Sequence, residues 1–160
     1  VLDVACGSGR HLQWFADRGH PVCGIDQDIA AATLALGSRA ELVQADIENG
    51  PWPLQERRFG AVVVTNYLWR ALVPTLLQSL VPGGLLIYET FAIGNAHYGR
   101  PARPEFLLQS GELLQICADM QVVAYENGLL ADPQRVVQRI VAFTPGLPDG
   151  SPQAAWRHPL

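Results

Sequence analysis

Apolar residues along this chain come in short blocks separated by glycines, prolines and charges, and two periods alternate through its first half. Val1 to Ala5 read as a short buried strand interrupted by Asp3. Arg10 to Arg18 carry Leu12, Phe15 and Ala16 at helical spacing, stopped by Gly19. His20-Pro21 leads into a second apolar strand, Val22 to Ile25, and Ile29 to Leu36 form an Ala/Leu-rich helix closed by Gly37. Glu41 to Gln44 predict a third strand. The stretch "DIENGPWPLQERR" after it is rich in Pro, Gly and charge and predicts a loop. The β-branched run Phe59 to Thr65 is a fourth strand, and a helix from about Ala71 to Val81, ended by Pro82-Gly83-Gly84, precedes a fifth at Leu85 to Thr90.

Strands alternating with helices make a parallel sheet, because parallel neighbours need a crossover of about a dozen residues or more. The last third breaks this alternation. Leu107 to Ala118 have a helical pattern, whereas Gln121 to Tyr125 and Val136 to Phe143 read as strands joined by "ENGLLADPQR", too short for a helical crossover. These two must pair as an antiparallel hairpin. Residues 145–160 are Pro/Gly-rich and predict an irregular tail, with Trp156 available to dock.

Composition narrows the function classes. With 160 residues, 49% hydrophobic and 16% charged, the chain can bury one substantial core, placed at residues 1–144. A net charge of −4 argues against a phosphate-binding surface, so no nucleic acid partner is expected. All eleven basic residues are Arg, which excludes a Walker lysine and a Schiff-base lysine within the sequence. Cys6, Cys23 and Cys117, like the four histidines, lack ligand spacing, so neither a disulfide framework nor a metal site is expected. No apolar run reaches the roughly 18 residues that span a bilayer, and no signal peptide is recognisable; the expectation is a cytoplasmic protein, monomer or homodimer, without a membrane partner. The sequence begins without Met and directly on a strand, which reads as a fragment missing its N-terminal lead-in.

The chemistry centres on "VLDVACGSGRH", a strand running into a glycine turn that opens a helix. Ligands of open α/β sheets bind outside the carboxyl ends of the strands, and the residues there are acidic: Asp3 in the first strand, Asp26 ending the second, Asp46 following the third. Carboxylates suit a ligand rich in hydroxyl, amine and adenine N–H donors and would repel a bare pyrophosphate. S-adenosylmethionine carries those donors and a positive sulfonium.

The segments "LDVACGSGR", "GID", "QADI", "VVVTNYL" and "PGGLLIYETF", in that order, resemble the motifs of class I S-adenosylmethionine-dependent methyltransferases. More narrowly, the chain is similar to bacterial tellurite-resistance-like members. The resemblance covers roughly residues 1–143 and implies a doubly wound, Rossmann-like, mostly parallel seven-stranded α/β sheet of order 3-2-1-4-5-7-6 ending in an antiparallel hairpin. It also implies that Gly7 and Gly9 let the backbone approach the methionine part of the cofactor and that Asp3 positions its amino group. Asp26 would take both ribose hydroxyls, with Gln27 beside the adenine; Asp46 would accept from the adenine N6, with Ile47 lining the ring. Asn66 would sit beside the reacting methyl group. The departure is Ala5, where the family usually has Gly. Arg10 either pairs with the cofactor carboxylate or an Asp, or is solvated.

Plainer readings stand beside these. Asp26 also fits a helix N-cap, and Asp46 a solvated loop carboxylate. Asp3 is harder to place structurally, because a carboxylate in a buried strand needs a partner. The competing ligand is NAD: reading G-x-G-x-x-G from Gly7 puts Leu12 at the third glycine, although Asp26 would still fit the ribose. That would make the chain a Rossmann oxidoreductase. A third reading is a non-catalytic cofactor-binding module.

Methyl transfer from a sulfonium needs little beyond holding nucleophile and methyl together with water excluded. If a base assists, Tyr67, Glu89, His97 and Tyr98 are placed for it after strands four and five, with Glu89 equally able to serve as an ion-pair partner. "TNYLW" stands where an N-P-P-Y signature of nucleic-acid amino methylation would lie, which favours a small-molecule acceptor. The segment "FAIGNAHYGRPARPEF", Phe91 to Phe106, has the length and composition of a substrate lid, a mobile surface loop being the alternative. Tyr98, Arg100 and Arg103 within it are the candidate substrate residues, and the two guanidiniums bracketing Pro101 point to an anionic acceptor.

Overall fold

The computed structural model describes residues 1–146. Seven strands form one sheet: β1 (Leu2–Val4), β2 (Cys23–Asp26), β3 (Glu41–Gln44), β4 (Phe59–Thr65), β5 (Leu80–Phe91), β6 (Gln121–Ala131) and β7 (Gln134–Phe143). Their order is β3-β2-β1-β4-β5-β7-β6, as the resemblance implied. The first five strands pair in parallel; β7 pairs antiparallel with both β5 and β6.

Four helices cover the sheet: α1 (Arg10–Ala16), α2 (Ala30–Leu36), α3 (Val73–Gln78) and α4 (Glu112–Ile116). Alternation along β1 sorts their faces. Leu2 and Val4 join the main core with Leu72 and Leu76 near α3 and Leu113 and Cys117 near α4. A second cluster of Cys6, Leu12, Val22, Ala32 and Leu36 lies under α1 and α2. Asp3 points to that second face, toward His11 of α1.

Several boundaries differ from the sequence expectation. The helix expected over 71–81 is a 3-10 turn at Arg70–Leu72 plus α3; Leu80 and Val81 are already in β5, Leu80 opposite Phe59. The helix expected over Leu107 to Ala118 shrinks to α4, because Leu107 and Leu108 are drawn under the end of β5, where Leu108 N–H donates to the Phe91 carbonyl at 2.9 Å. The stretch "ENGLLADPQR" is mostly strand: Asn127 pairs with Gln138 and Leu130 with Arg135, so the hairpin turns at Asp132-Pro133. The Trp156 expectation lies outside the described residues.

The hairpin therefore rises past the end of β5 and supports the segment that follows it. Buried Asn95 donates from Nδ2 to the Pro101 carbonyl at 3.0 Å and accepts from the Val136 N–H at 3.0 Å. At the far end of that segment, the Arg70 guanidinium forks onto the Glu112 carboxylate at 2.7 and 2.9 Å and donates to the carbonyls of Glu105 and Leu107. Residues 91–107 are thus pinned to the body at both ends, with short 3-10 turns at Asn95–His97 and Pro104–Phe106.

Candidate functional site

The turn after β1 carries positive φ at Ala5 (54°), Gly7 (52°) and Gly9 (78°). The two glycines serve different ends. A Cβ on Gly9 would meet Leu36 Cδ1 at 2.7 Å and Ala32 Cβ at 3.2 Å, so Gly9 lets α1 close onto α2. A Cβ on Gly7 would meet nothing within 4 Å, so there it is the positive φ that favours glycine. Ala5 holds a left-handed conformation with a side chain, at a strain of about 1 kcal/mol.

Asp26 reaches across from the end of β2. Its Oδ2 accepts the Gly7 N–H at 2.8 Å, and its Oδ1 accepts the Asp28 N–H at 3.0 Å. The first turn of α2 is served instead by Asp28, whose Oδ1 accepts the Ala30 N–H. Asp26 is therefore only half-buried and keeps lone pairs free toward the groove.

Asp3 is in a different state. It is 1% exposed, and neither carboxylate oxygen has a hydrogen-bond partner. Its nearest cation candidate is His11 Nδ1 at 3.9 Å, itself 3.4 Å from the Thr65 hydroxyl. Burial above all, and next the charge of Asp26, push the Asp3 carboxyl up to about 7, against a smaller opposing pull from Arg10. Burial and the neighbouring Arg10 also lower the His11 pKa, so the imidazole is a poor standing counter-ion. Protonated, the Asp3 carboxyl escapes most of the cost of its burial; ionised, it is costly unless something cationic completes it. In the sequence His11 figures only as a histidine without ligand spacing, which gives no sign of its place beside Asp3.

A cavity of about 330 Å³ opens beside this turn, lined by Ala5, Asp26, Gln27, Asp46, Ile47, Glu48 and Tyr67 among others. Asp46 spends its carboxylate on its own loop: Oδ1 accepts the N–H groups of Glu48 and Asn49, and Oδ2 the Asn49 amide, all at 3.0 Å. Those bonds, the Asn49 amide first, hold its pKa below the usual carboxylate range. Ile47 packs half-buried against the main core, and the Gln27 carbonyl accepts from the Gln44 side chain.

A second cavity of about 210 Å³ is lined by Glu48, Asn66, Tyr67, Leu68, Thr90, Phe91, Pro101 and Phe106. Tyr67 and Glu48 line both cavities and so mark their junction. The Tyr67 hydroxyl is buried without a hydrogen-bond partner, and burial, then the Glu48 charge, raise its pKa. Asn66 takes a left-handed turn (φ 55°) just past β4, fixed by its N–H to the Glu89 carbonyl at 2.9 Å. Phe91, Pro101 and Phe106 continue into a third cavity of about 620 Å³, whose rim carries Arg100 and Arg103.

The other residues read from the sequence are placed as follows. Glu89 lies 3.0 Å from Arg139 Nε and 3.4 Å from Arg135 Nη2, so its carboxylate serves the hairpin. Arg10 is exposed, with Nη2 3.3 Å from His11 Nε2. His97 and Tyr98 are exposed and lie outside the linings of these three cavities. Glu48 went unnoticed in the sequence, where it is one of many loop carboxylates. No cluster of His, Cys, Asp or Glu among the described residues is arranged to hold a metal, and no helix there is long and apolar enough to cross a membrane.

An open α/β sheet with a cavity at the carboxyl ends of β1, β2 and β3 defines a nucleotide-type binding protein of the Rossmann-like class. Within that class the chain belongs to the methyltransferase domain family, which it matches over residues 1–84. Its fold is similar to that of an S-adenosylmethionine-dependent methyltransferase from Methanosarcina mazei, at 17% identity and a TM-score of 0.72, covering 90% of this chain and 91% of that one. It is also similar to TehB from Haemophilus influenzae, at 17% identity and a TM-score of 0.69, over 89% of this chain and 57% of that one. A third is the glycopeptide N-methyltransferase MtfA complexed with S-adenosylmethionine, at 20% identity and a TM-score of 0.62, over 90% and 86%. No curated protein is matched.

Proposed function

We propose that this chain is an S-adenosylmethionine-dependent methyltransferase that acts on a small-molecule acceptor. The observation that carries the reading is Asp3, a buried carboxylate with both oxygens unsatisfied in the strand that runs into the glycine turn. An α-ammonium group is the complement such a site lacks, and NAD offers none there. The structural relatives that are methyltransferases or carry S-adenosylmethionine support the same cofactor.

When bound, S-adenosylmethionine supplies a methyl group whose C–S bond breaks, the pair staying on sulfur, as the acceptor's lone pair forms the new bond. Asp3 would hold the ammonium, with the Gly7 and Gly9 backbone and Arg10 at the carboxylate end. Asp26 would use its free lone pairs on the ribose hydroxyls while keeping the glycine turn in place. Gln27, Ala5, Ile47 and the Asp46 loop would line the adenine, Asp46 shaping the loop and offering N6 its remaining acceptor capacity. Asn66 and Tyr67 would border the methyl group, where water exclusion and alignment supply most of the catalysis.

The test compares S-adenosylhomocysteine with 5′-methylthioadenosine, which lacks the amino-acid portion, by calorimetry on wild type and Asp3→Asn. Wild type should favour the former by about tenfold or more, the scale of one charged hydrogen bond, and the variant should lose that preference. Equal affinities in wild type would overturn the assignment of Asp3.

A further inference from the structure

The outermost cavity has the opposite electrostatic character to the one beside Asp26, while the inner acceptor-side cavity still carries Glu48. The cofactor-side cavity carries Asp26, Asp46 and Glu48; the outermost carries no carboxylate and two guanidiniums. Phe91, Pro101 and Phe106 line both the inner and the outer acceptor-side cavities, so the two share an apolar wall.

The two arginines are not equivalent. Arg103 lies over the Phe106 ring, 4.6 Å from its centroid, and 3.3 Å from the Glu105 carboxylate, so its charge is already answered and its plane extends the apolar wall. Arg100 has no hydrogen-bond or ion-pair partner among the described residues. The backbone beside it is nonetheless anchored: the adjoining Pro101 carbonyl is held by buried Asn95, which is tied in turn to β7 through Val136.

Resting on the methyltransferase reading, we infer that the acceptor is an aromatic carboxylate: its carboxylate is held by Arg100, its ring lies between Phe91, Pro101 and Phe106, and its nucleophilic group projects inward to Asn66 and Tyr67. A planar body suits walls made by two aromatic rings and a proline, and a single unanswered guanidinium suits one terminal anion. The nucleophile is then remote from the carboxylate, as in a para-hydroxyaryl acid. A phenol oxygen so placed gains the methyl group, the sulfonium becomes a neutral thioether, and the phenol proton passes to solvent. Asn95 is a positioning residue, acting through the Pro101 carbonyl.

The probe pair is 4-hydroxybenzoate and its uncharged analogue 4-hydroxybenzamide, titrated by ligand-observed NMR with and without S-adenosylhomocysteine. The acid should bind about tenfold or more tightly than the amide. Arg100→Gln should remove that difference while leaving S-adenosylhomocysteine affinity within twofold of wild type, and Arg103→Gln should change it much less. Equal binding of acid and amide, no binding of either, or an acid preference that survives Arg100→Gln would each overturn the inference. Failure of S-adenosylhomocysteine to bind while the Arg100-dependent acid preference persists would remove the methyltransferase reading and leave the carboxylate site standing.

Discussion

One carboxylate oxygen of Asp26 accepts the backbone N–H of Gly7 at 2.8 Å, tying the end of the second strand to the middle of the glycine turn. The residue expected to grip a ribose also holds the backbone on which the rest of the cofactor would lie. Asp26→Ala should therefore cost about 2–4 kcal/mol of S-adenosylhomocysteine affinity, from the lost charged contacts and the loosened turn together. Calorimetry of the variant, with circular dichroism to verify its fold, checks this. Wild-type affinity would count against the role.

Gly7 and Gly9 should separate in the same assays. Gly9→Ala meets Leu36 and Ala32 as well as an unfavourable φ, and should destabilise the fold by about 2 kcal/mol or more in urea titrations. Gly7→Ala meets no neighbour and should cost only about 1 kcal/mol of stability, with a larger loss in cofactor affinity.

Asp3 predicts a pH dependence whose sign follows from its raised pKa. Its contribution to the stability of the ligand-free fold is fully present below the ordinary value of 3.8 and is lost as pH rises through about 7. Binding an ammonium needs the ionised carboxylate and runs the other way. S-adenosylhomocysteine affinity should fall below pH 7 with a limiting slope of about one decade per pH unit, with uptake of the ligand releasing protons. Asp3→Asn should flatten both profiles. A wild-type affinity unchanged between pH 5.5 and 8 would contradict the assignment.

Asn95 predicts an effect confined to the acceptor side. Asn95→Ala strips partners from the Pro101 carbonyl and the Val136 N–H and should cost about 1–3 kcal/mol of stability. Hydrogen exchange should quicken over residues 96–106 and the acceptor KM should rise, with S-adenosylhomocysteine affinity unchanged. Exchange that quickens uniformly across the sheet would mean that Asn95 serves the core alone.

The parallel half of the fold was legible because its strands centre on apolar or β-branched residues and end at, or within three residues of, a Gly, Asn or Asp. Glu41–Gln44 and Phe59–Thr65 fall where the pattern puts them. The hairpin's length was not, since Asn127-Gly128 carries a turn signal that strand pairing with Gln138 and Val137 overrides. Leu107 and Leu108 likewise fit a helical period but are held by contacts with Phe91 and Arg70 that no local pattern encodes. At the site, Asp3, Asp26 and the glycines stand out by residue type against an apolar strand. Glu48, His11 and Asn95 matter only through neighbours distant in sequence, such as Tyr67, Thr65 and Val136.

The central claim is that the acidic glycine-turn cavity holds S-adenosylmethionine. Its most direct test is a calorimetric titration of the wild-type chain at pH 8 with S-adenosylmethionine and, separately, with NAD. One equivalent of S-adenosylmethionine should bind, with S-adenosylhomocysteine competing for the same site and NAD giving no saturable heat. Saturable binding of NAD with none of S-adenosylmethionine would contradict the account.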